Sequence, residues 1–167
     1  MISTKTKEVF MKSLKDQIAI YRKQHTNKIN LLTHYIGIPA IIFSLLMFLN
    51  WISIDVATKV QISFSWIAVI AILVYYFSLN VRLAAAAAVV LIVMAVMATL
   101  LARPTPTLFS TLLFLILFFG GWALQFIGHY FEKQKPAFLI SVKQLLIGPL
   151  FVLTEAIEAL GLTQYIK

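Results

Sequence analysis

Apolar residues fill this chain in four long blocks separated by short polar breaks. The blocks run from about Leu31 to Trp51, Ile62 to Leu79, Leu83 to Ala102 and Leu108 to Ile127. Each is close to the roughly 20 residues that a helix needs to cross about 30 Å of hydrocarbon. The pattern therefore predicts four transmembrane helices. The breaks differ in chemistry. The first is a polar link containing Asp55 and Lys59, and the second is the very short turn Asn80-Val-Arg82. The third is Arg103-Pro-Thr-Pro-Thr107, where two prolines end any helix. Gly37 and Pro39 lie early in the first block and predict a kink or an irregular first turn.

Two flanking segments are amphipathic. Residues 4–23 place Val9, Phe10, Leu14, Ile18 and Tyr21 at helical spacing with lysines between them, as in a helix lying on a membrane face. The polar stretch His25-Thr-Asn-Lys-Ile-Asn30 follows and contains residues that break and recap a helix. After Pro136, the segment Ala137–Leu160 mixes apolar residues with Lys143, Gly148, Pro149, Glu155 and Glu158. It reads as two short helices hinged at Gly148-Pro149, lying at the interface or re-entering the membrane. The expected fold is an all-α polytopic membrane bundle of about four transmembrane helices plus N-terminal and C-terminal interfacial helices. Residues 1–167 then form a single integral membrane domain. The run Ala84–Ala88 reads as a surface for close helix packing.

Composition narrows the class further. Apolar residues make up 61% of the 167, against about 45–50% in soluble domains. The absence of cysteine removes disulfides, thiolate metal sites, iron–sulfur clusters and cysteine nucleophiles. The charged N-terminus does not read as a cleavable signal peptide. No Gly-x-Ser-x-Gly and no phosphate-binding glycine loop is present.

The net charge of +8 is unevenly spread, with seven of the fourteen Lys and Arg residues before Asn30. Anionic headgroups and the positive-inside rule account for such a basic arm, so membrane lipids are expected partners and nucleic acid is not. Four spans put both termini on one side of the membrane. That side collects twelve basic residues, leaving Lys59 and Arg103 on the other. Both termini are therefore expected to be cytoplasmic, in a bacterial inner membrane or the endoplasmic reticulum.

This topology brings His25, His34 and His129, the three histidines of the chain, to the cytoplasmic face. Imidazole is the commonest protein metal ligand. Asn30 and His34 share a helix face, but His25 and His34 fall on opposite faces of any continuous helix. They can meet only if the chain breaks between them, and Thr26, Asn27 and Asn30 are suitable cap residues. The alternative is an interfacial His25 and a satisfied, buried His34. His129 and Glu132 lie one turn apart and can share a site, or they belong to an interfacial aromatic belt with Trp122, Tyr130 and Phe131. Gly120-Gly121 and Gly128 permit close helix approach. Glu155 lies among apolar neighbours, whereas Glu158 reads as the wet side of an amphipathic helix.

Two motifs together resemble a known family. They are His25-x4-Asn30-x3-His34-x2-Gly37-x-Pro39 and Trp122-x2-Gln125-Phe126-x-Gly128-His129-x2-Phe131-Glu132-x3-Pro136-Ala137. The chain resembles the small membrane 2-hydroxy fatty acid dioxygenases, whose fungal member acts in fatty-acid α-oxidation in the endoplasmic reticulum. Gly148-Pro149 with Phe151 and Glu155 also fits. The likeness covers about Tyr21 to Glu155. It implies a non-haem Fe(II) enzyme that uses molecular oxygen to shorten a 2-hydroxy fatty acid by one carbon. By position it implies His25, His34 and His129 as metal ligands, with Asn30, Glu132 and Glu155 as remaining-ligand or supporting residues. An acyl tail would lie between the spans, and Arg22, Lys23, Lys28 or Lys133 would steer its carboxylate. Two other classes fit the same residues. One is a non-catalytic lipid-binding or structural membrane protein, and the other a bis-histidine haem protein using His34 and His129.

Overall fold

The computed structural model describes residues 14–57, 60–133 and 143–166. Helix α1 is Leu14–Lys23, α2 is Lys28–Asn50, α3 is Phe64–Leu79, α4 is Val81–Ala102, α5 is Leu108–Glu132 and α6 is Lys143–Ala159. A hairpin of β1, Ser53–Ala57, and β2, Val60–Ser63, joins α2 to α3. A short 3-10 turn, Thr163–Tyr165, follows α6. The all-α bundle read from the sequence is therefore present. Residues 4–13 of the expected N-terminal helix lie outside the described residues.

The polar breaks cap the helices they separate. Asn80 serves both sides of its turn. Its backbone N–H closes α3 on the Tyr76 carbonyl, and its side chain accepts from the Leu83 N–H at 2.8 Å to open α4. Thr107 and Ser110 form a reciprocal capping box at the start of α5. Helix α5 continues five residues past the expected end at Ile127, so His129 and Glu132 are helical.

The structure corrects two expectations. The link after the first span is an antiparallel hairpin pairing Ile54 with Ile62 and Asp55 with Gln61. Alternating apolar residues in Ser53-Ile-Asp-Val and Val60-Gln-Ile-Ser carry that period of two. The hairpin takes up Ile62 and Ser63, so α3 has 16 residues and spans about 24 Å. Helices α2, α4 and α5 are each long and apolar enough to cross a membrane, and α3 is a shorter apolar helix. The second correction concerns Gly148-Pro149. There is no hinge, because α6 runs unbroken through Pro149. Ile147, Leu150 and Phe151 are fully buried around it, and this packing holds the helix together. The Tyr76 hydroxyl donates to the Leu146 carbonyl at 2.8 Å, in the turn that the proline weakens. Helix α2 likewise continues through Pro39.

Packing follows the small residues. On α4, Ala84, Ala87, Leu91, Ala95, Ala98 and Ala102 form one buried stripe, so part of the alanine run is a contact face. The closest approach is between α2 and α5. A Cβ on Gly37 would lie 2.9 Å from the Gly121 carbonyl oxygen, and a Cβ on Gly121 would lie 3.0 Å from that of Gly37. A Cβ on Gly128 would collide with Thr33 Oγ1 and Asn30 Oδ1. Gly120 borders nothing within 4 Å. Gly128→Ala should thus cost about 1–3 kcal/mol, the usual penalty of overpacking. Gly120→Ala should leave stability unchanged or slightly raised, because alanine is the better helix former. Thermal unfolding of the two variants in the same detergent checks the contrast.

Candidate metal centre

The centre begins with a break in the chain. Helix α1 ends at Lys23, and α2 restarts after Asn27, whose side chain accepts from the Ile29 N–H at 2.8 Å. The intervening turn folds His25 back against α2. That removes the opposite-face problem that a continuous helix would impose on His25 and His34. His34 lies on α2 and His129 near the end of α5. All three histidines are buried, at 2%, 1% and 6% exposure. One ligand nitrogen from each lies within 4.8 Å of the other two.

Backbone carbonyls fix two of the tautomers. His25 Nδ1 lies 2.8 Å from the Tyr21 carbonyl oxygen, and His34 Nδ1 lies 2.8 Å from that of Asn30. A carbonyl only accepts, so in both rings Nδ1 carries the proton and Nε2 presents a lone pair. These two Nε2 atoms face each other at 3.2 Å. Protonating one would relieve the contact, but burial pulls the His25 pKa below its ordinary value. The Tyr21 carbonyl and Glu132 oppose that shift without reversing it. His129 Nδ1 is buried without a partner. Lone pairs converging in a dry site ask for a cation. Two imidazoles sharing a zinc-like ion at about 2.0–2.1 Å would hold their nitrogens about 3 Å apart. The residues present fit a metal ion.

Other groups hold the histidines in place. Tyr21 stacks on His25 with ring centroids 4.2 Å apart and planes inclined by 7°. Phe151 of α6 packs against both rings. Burial raises the Tyr21 phenol above its ordinary pKa, so it stays neutral. Glu132 terminates α5 and grips the turn. Its carboxylate accepts from the Thr26 N–H at 3.0 Å, the Thr26 hydroxyl at 2.7 Å, the Asn27 N–H at 2.9 Å and Asn30 Nδ2 at 3.1 Å. Both Glu132 oxygens are thereby engaged, which places this residue behind the loop that carries His25. Asn30 links Glu132 to His34, and its own Oδ1 is buried without a partner.

The structure does not bring every sequence candidate to this cluster. Glu155 accepts from Arg22 Nε at 2.7 Å and is also bonded by Arg22 Nη2, which reaches Glu158 at 2.7 Å as well. Opposite charges at the ends of α1 and α6 meet each other instead of the histidines. Arg22, read as a cation that steers a carboxylate, is neutralised by these two acids, and its pKa is raised first by the Glu155 hydrogen bond. Glu158, read as merely wet, completes this ion triad. Lys28 opens α2 and Lys133 caps α5 in a left-handed conformation at φ 56°, both exposed at the histidine end of the bundle.

The reading from sequence passed over Tyr21 as a site residue and gave Gln125 no chemical role. Each stands four positions before a histidine, and that spacing was the available signal. An apolar cavity of about 270 Å³ opens beside His34 and His129 and extends to Leu49 and Ala68. Along α2, His34 to Leu49 spans about 22 Å. The haem alternative fails on geometry. The His34 and His129 rings are 5.0 Å apart with His25 packed edge-on against both, so no porphyrin plane fits between them.

Residues 11–160 match the family model described as 2-hydroxy-palmitic acid dioxygenase Mpo1-like. The chain belongs to this family. It is 31% identical over 156 residues to the 2-hydroxy-palmitic acid dioxygenase of Saccharomyces cerevisiae, covering 92% of this chain and 85% of the yeast protein. No solved structure is significantly similar to it. Family membership places the chain among oxidoreductases of the dioxygenase class.

Protein purified without chelator should carry close to one metal ion per chain and no haem absorption band. Single replacement of His25, His34 or His129 by alanine should weaken metal affinity by roughly 10-fold or more, and so should Glu132→Ala, which frees the loop behind His25. Metal analysis after dialysis against graded chelator measures this. Full retention of metal by His25→Ala would exclude that ring as a ligand.

Proposed function

We propose that this protein is an Fe(II)-dependent dioxygenase that shortens a 2-hydroxy fatty acid by one carbon. The observation that carries the reading is the buried trio of histidines, two of whose Nε2 lone pairs stand face to face, with His34 and His129 lining an apolar cavity. Family membership supports the reaction class and the acyl substrate. An all-imidazole site with neutral ligands suits iron and leaves positions open for oxygen and a chelating substrate. Iron bound there would supply the electronic coupling that lets molecular oxygen react with a closed-shell acid.

The balance needs no other reductant. The C1–C2 bond breaks, C1 leaves as carbon dioxide, C2 becomes the new carboxyl carbon, and one water forms. The four electrons taken up by one molecule of oxygen all come from the substrate. His25, His34 and His129 hold the metal, with their Nδ1 protons committed to carbonyls where the structure fixes them. Glu132 and Asn30 keep the His25 turn and α2 in register. The exposed Lys28 and Lys133 draw the carboxylate to the bundle end. The acyl tail enters the cavity between α2, α3, α5 and α6, which excludes water behind the head group.

Iron-loaded protein in lipid, given oxygen and long-chain 2-hydroxy acids, should release acids one carbon shorter. Ala68 lies at the far end of the cavity, so Ala68→Phe should shift the preferred substrate to shorter chains. Mass spectrometry across a series of chain lengths measures both effects. An iron-bound protein that turns over none of these acids would retire the substrate assignment and leave the metal site standing.

The same reading places both termini in the cytoplasm, supported by the basic residues gathered at the histidine end. Cysteines introduced at positions 4 and 165 should react with an impermeant reagent only after the membrane is opened. Labelling of either one in intact cells would overturn the orientation.

A further inference from the structure

The cavity is lined almost wholly by hydrocarbon, and Gln125 is an exception that needs an explanation. It lies on α5, one turn before His129, and is 5% exposed. Its Nε2 is buried without a hydrogen-bond partner. An unpaired buried amide donor costs about 1–3 kcal/mol, so a membrane protein gains nothing from keeping it there for packing alone. Space has been made for it on α2, where a Cβ on Gly37 would collide with Gln125 Nε2. The terminal torsion of glutamine is broad, so the amide can turn its N–H toward the cavity that the residue lines.

Its height in the bundle identifies the acceptor. Glu132, His129 and Gln125 descend α5 from the open end inward, and Gln125 lies about 6 Å deeper than His129. An acid entering tail-first keeps its carboxylate at the histidines. Gln125 then stands where the head group meets the tail, beside C2. We propose that Gln125 is a specificity-determining residue that donates a hydrogen bond to the 2-hydroxyl of the bound acid. It thereby selects 2-hydroxy over unsubstituted fatty acids. This inference rests on the substrate reading above. A site built to pair a substrate hydroxyl disfavours the analogue lacking it, because the buried donor is then left unpaired.

The test is equilibrium binding to the purified protein under oxygen-free conditions, where no turnover occurs. The probes are a long-chain 2-hydroxy acid and the unsubstituted acid of equal length. The wild type should bind the 2-hydroxy acid more tightly. Gln125→Met keeps the shape and removes the donor. It should weaken the 2-hydroxy acid about 10-fold while leaving the unsubstituted acid and the metal content unchanged. Gln125→Asn withdraws the donor by one methylene and should act the same way, which guards against a folding defect in the first variant. The unsubstituted acid also reports an intact cavity in each variant. An unchanged preference, or equal loss of both acids, would overturn the role given to Gln125 while leaving the substrate reading intact. A wild type that binds neither acid would overturn the substrate reading and this inference with it.

Discussion

The site depends on one contact, the near-touching backbones of α2 and α5. Gly37, Gly121 and Gly128 remove the side chains that would hold the helices apart. With that spacing, His34 and His129 come level and their rings meet edge to face at 5.0 Å. The same proximity brings Glu132, one turn beyond His129, within reach of the turn that carries His25. Two helices thus supply two of the clustered imidazoles directly and hold the third through a carboxylate. The close glycine contact and the four-donor grip on Glu132 act together. The glycines set the distance between the helices, and the carboxylate orders a turn whose backbone N–H groups would otherwise go unpaired.

Charge placement supports the same division of labour. Acids and arginine at the outer edge of α1 and α6 neutralise one another, with Arg22 between Glu155 and Glu158. Burial keeps the His25 ring neutral. The centre therefore lacks the protonated group that would reconcile two facing lone pairs. In a low-dielectric setting an uncompensated arrangement of this kind is costly, and a bound cation resolves it. The neutral tautomers that metal binding would require are set beforehand by the carbonyls of Tyr21 and Asn30, so ion uptake would need little rearrangement.

Much of this was legible in the residues. Block hydrophobicity marked α2, α4 and α5, the three helices long and apolar enough to cross a membrane, and the shorter apolar α3. The polar stretch from His25 to Asn30 announced the break that lets two histidines nine positions apart converge. The hairpin was missed because its strands are short and its alternation sits inside a segment whose charges suggested a link. Pro149 suggested a hinge because proline weakens any isolated helix, whereas buried packing of Ile147, Leu150 and Phe151 overrides that weakness. The partner of Glu155 was not legible. Nothing in spacing pairs it with Arg22, 133 positions away, since such a contact exists only once α1 and α6 have docked. Glu132 was recognised as belonging near His129, but its orientation toward the Thr26 turn came from the tertiary fold.

The polar and apolar parts of the site are continuous, and this bears on how one small bundle serves a lipid substrate. A metal centre in the middle of the membrane would strand a carboxylate in hydrocarbon, and one on a soluble surface would strand the tail in water. Here the histidines lie where the helices end, and the cavity runs inward from them toward Leu49 and Ala68. In the proposed complex head and tail would each meet a medium that solvates them, so binding would require neither to cross into the other's environment. Depth along α5 then becomes a chemical coordinate, running from the Glu132 carboxylate held by the His25 turn, past the His129 imidazole and the amide of Gln125, to the aromatic Trp122. On that axis C1 and C2 of an acid bound as proposed would fall between His129 and Trp122. A centre built to act on C1 and C2, and not further down the chain, needs its ligands at that boundary.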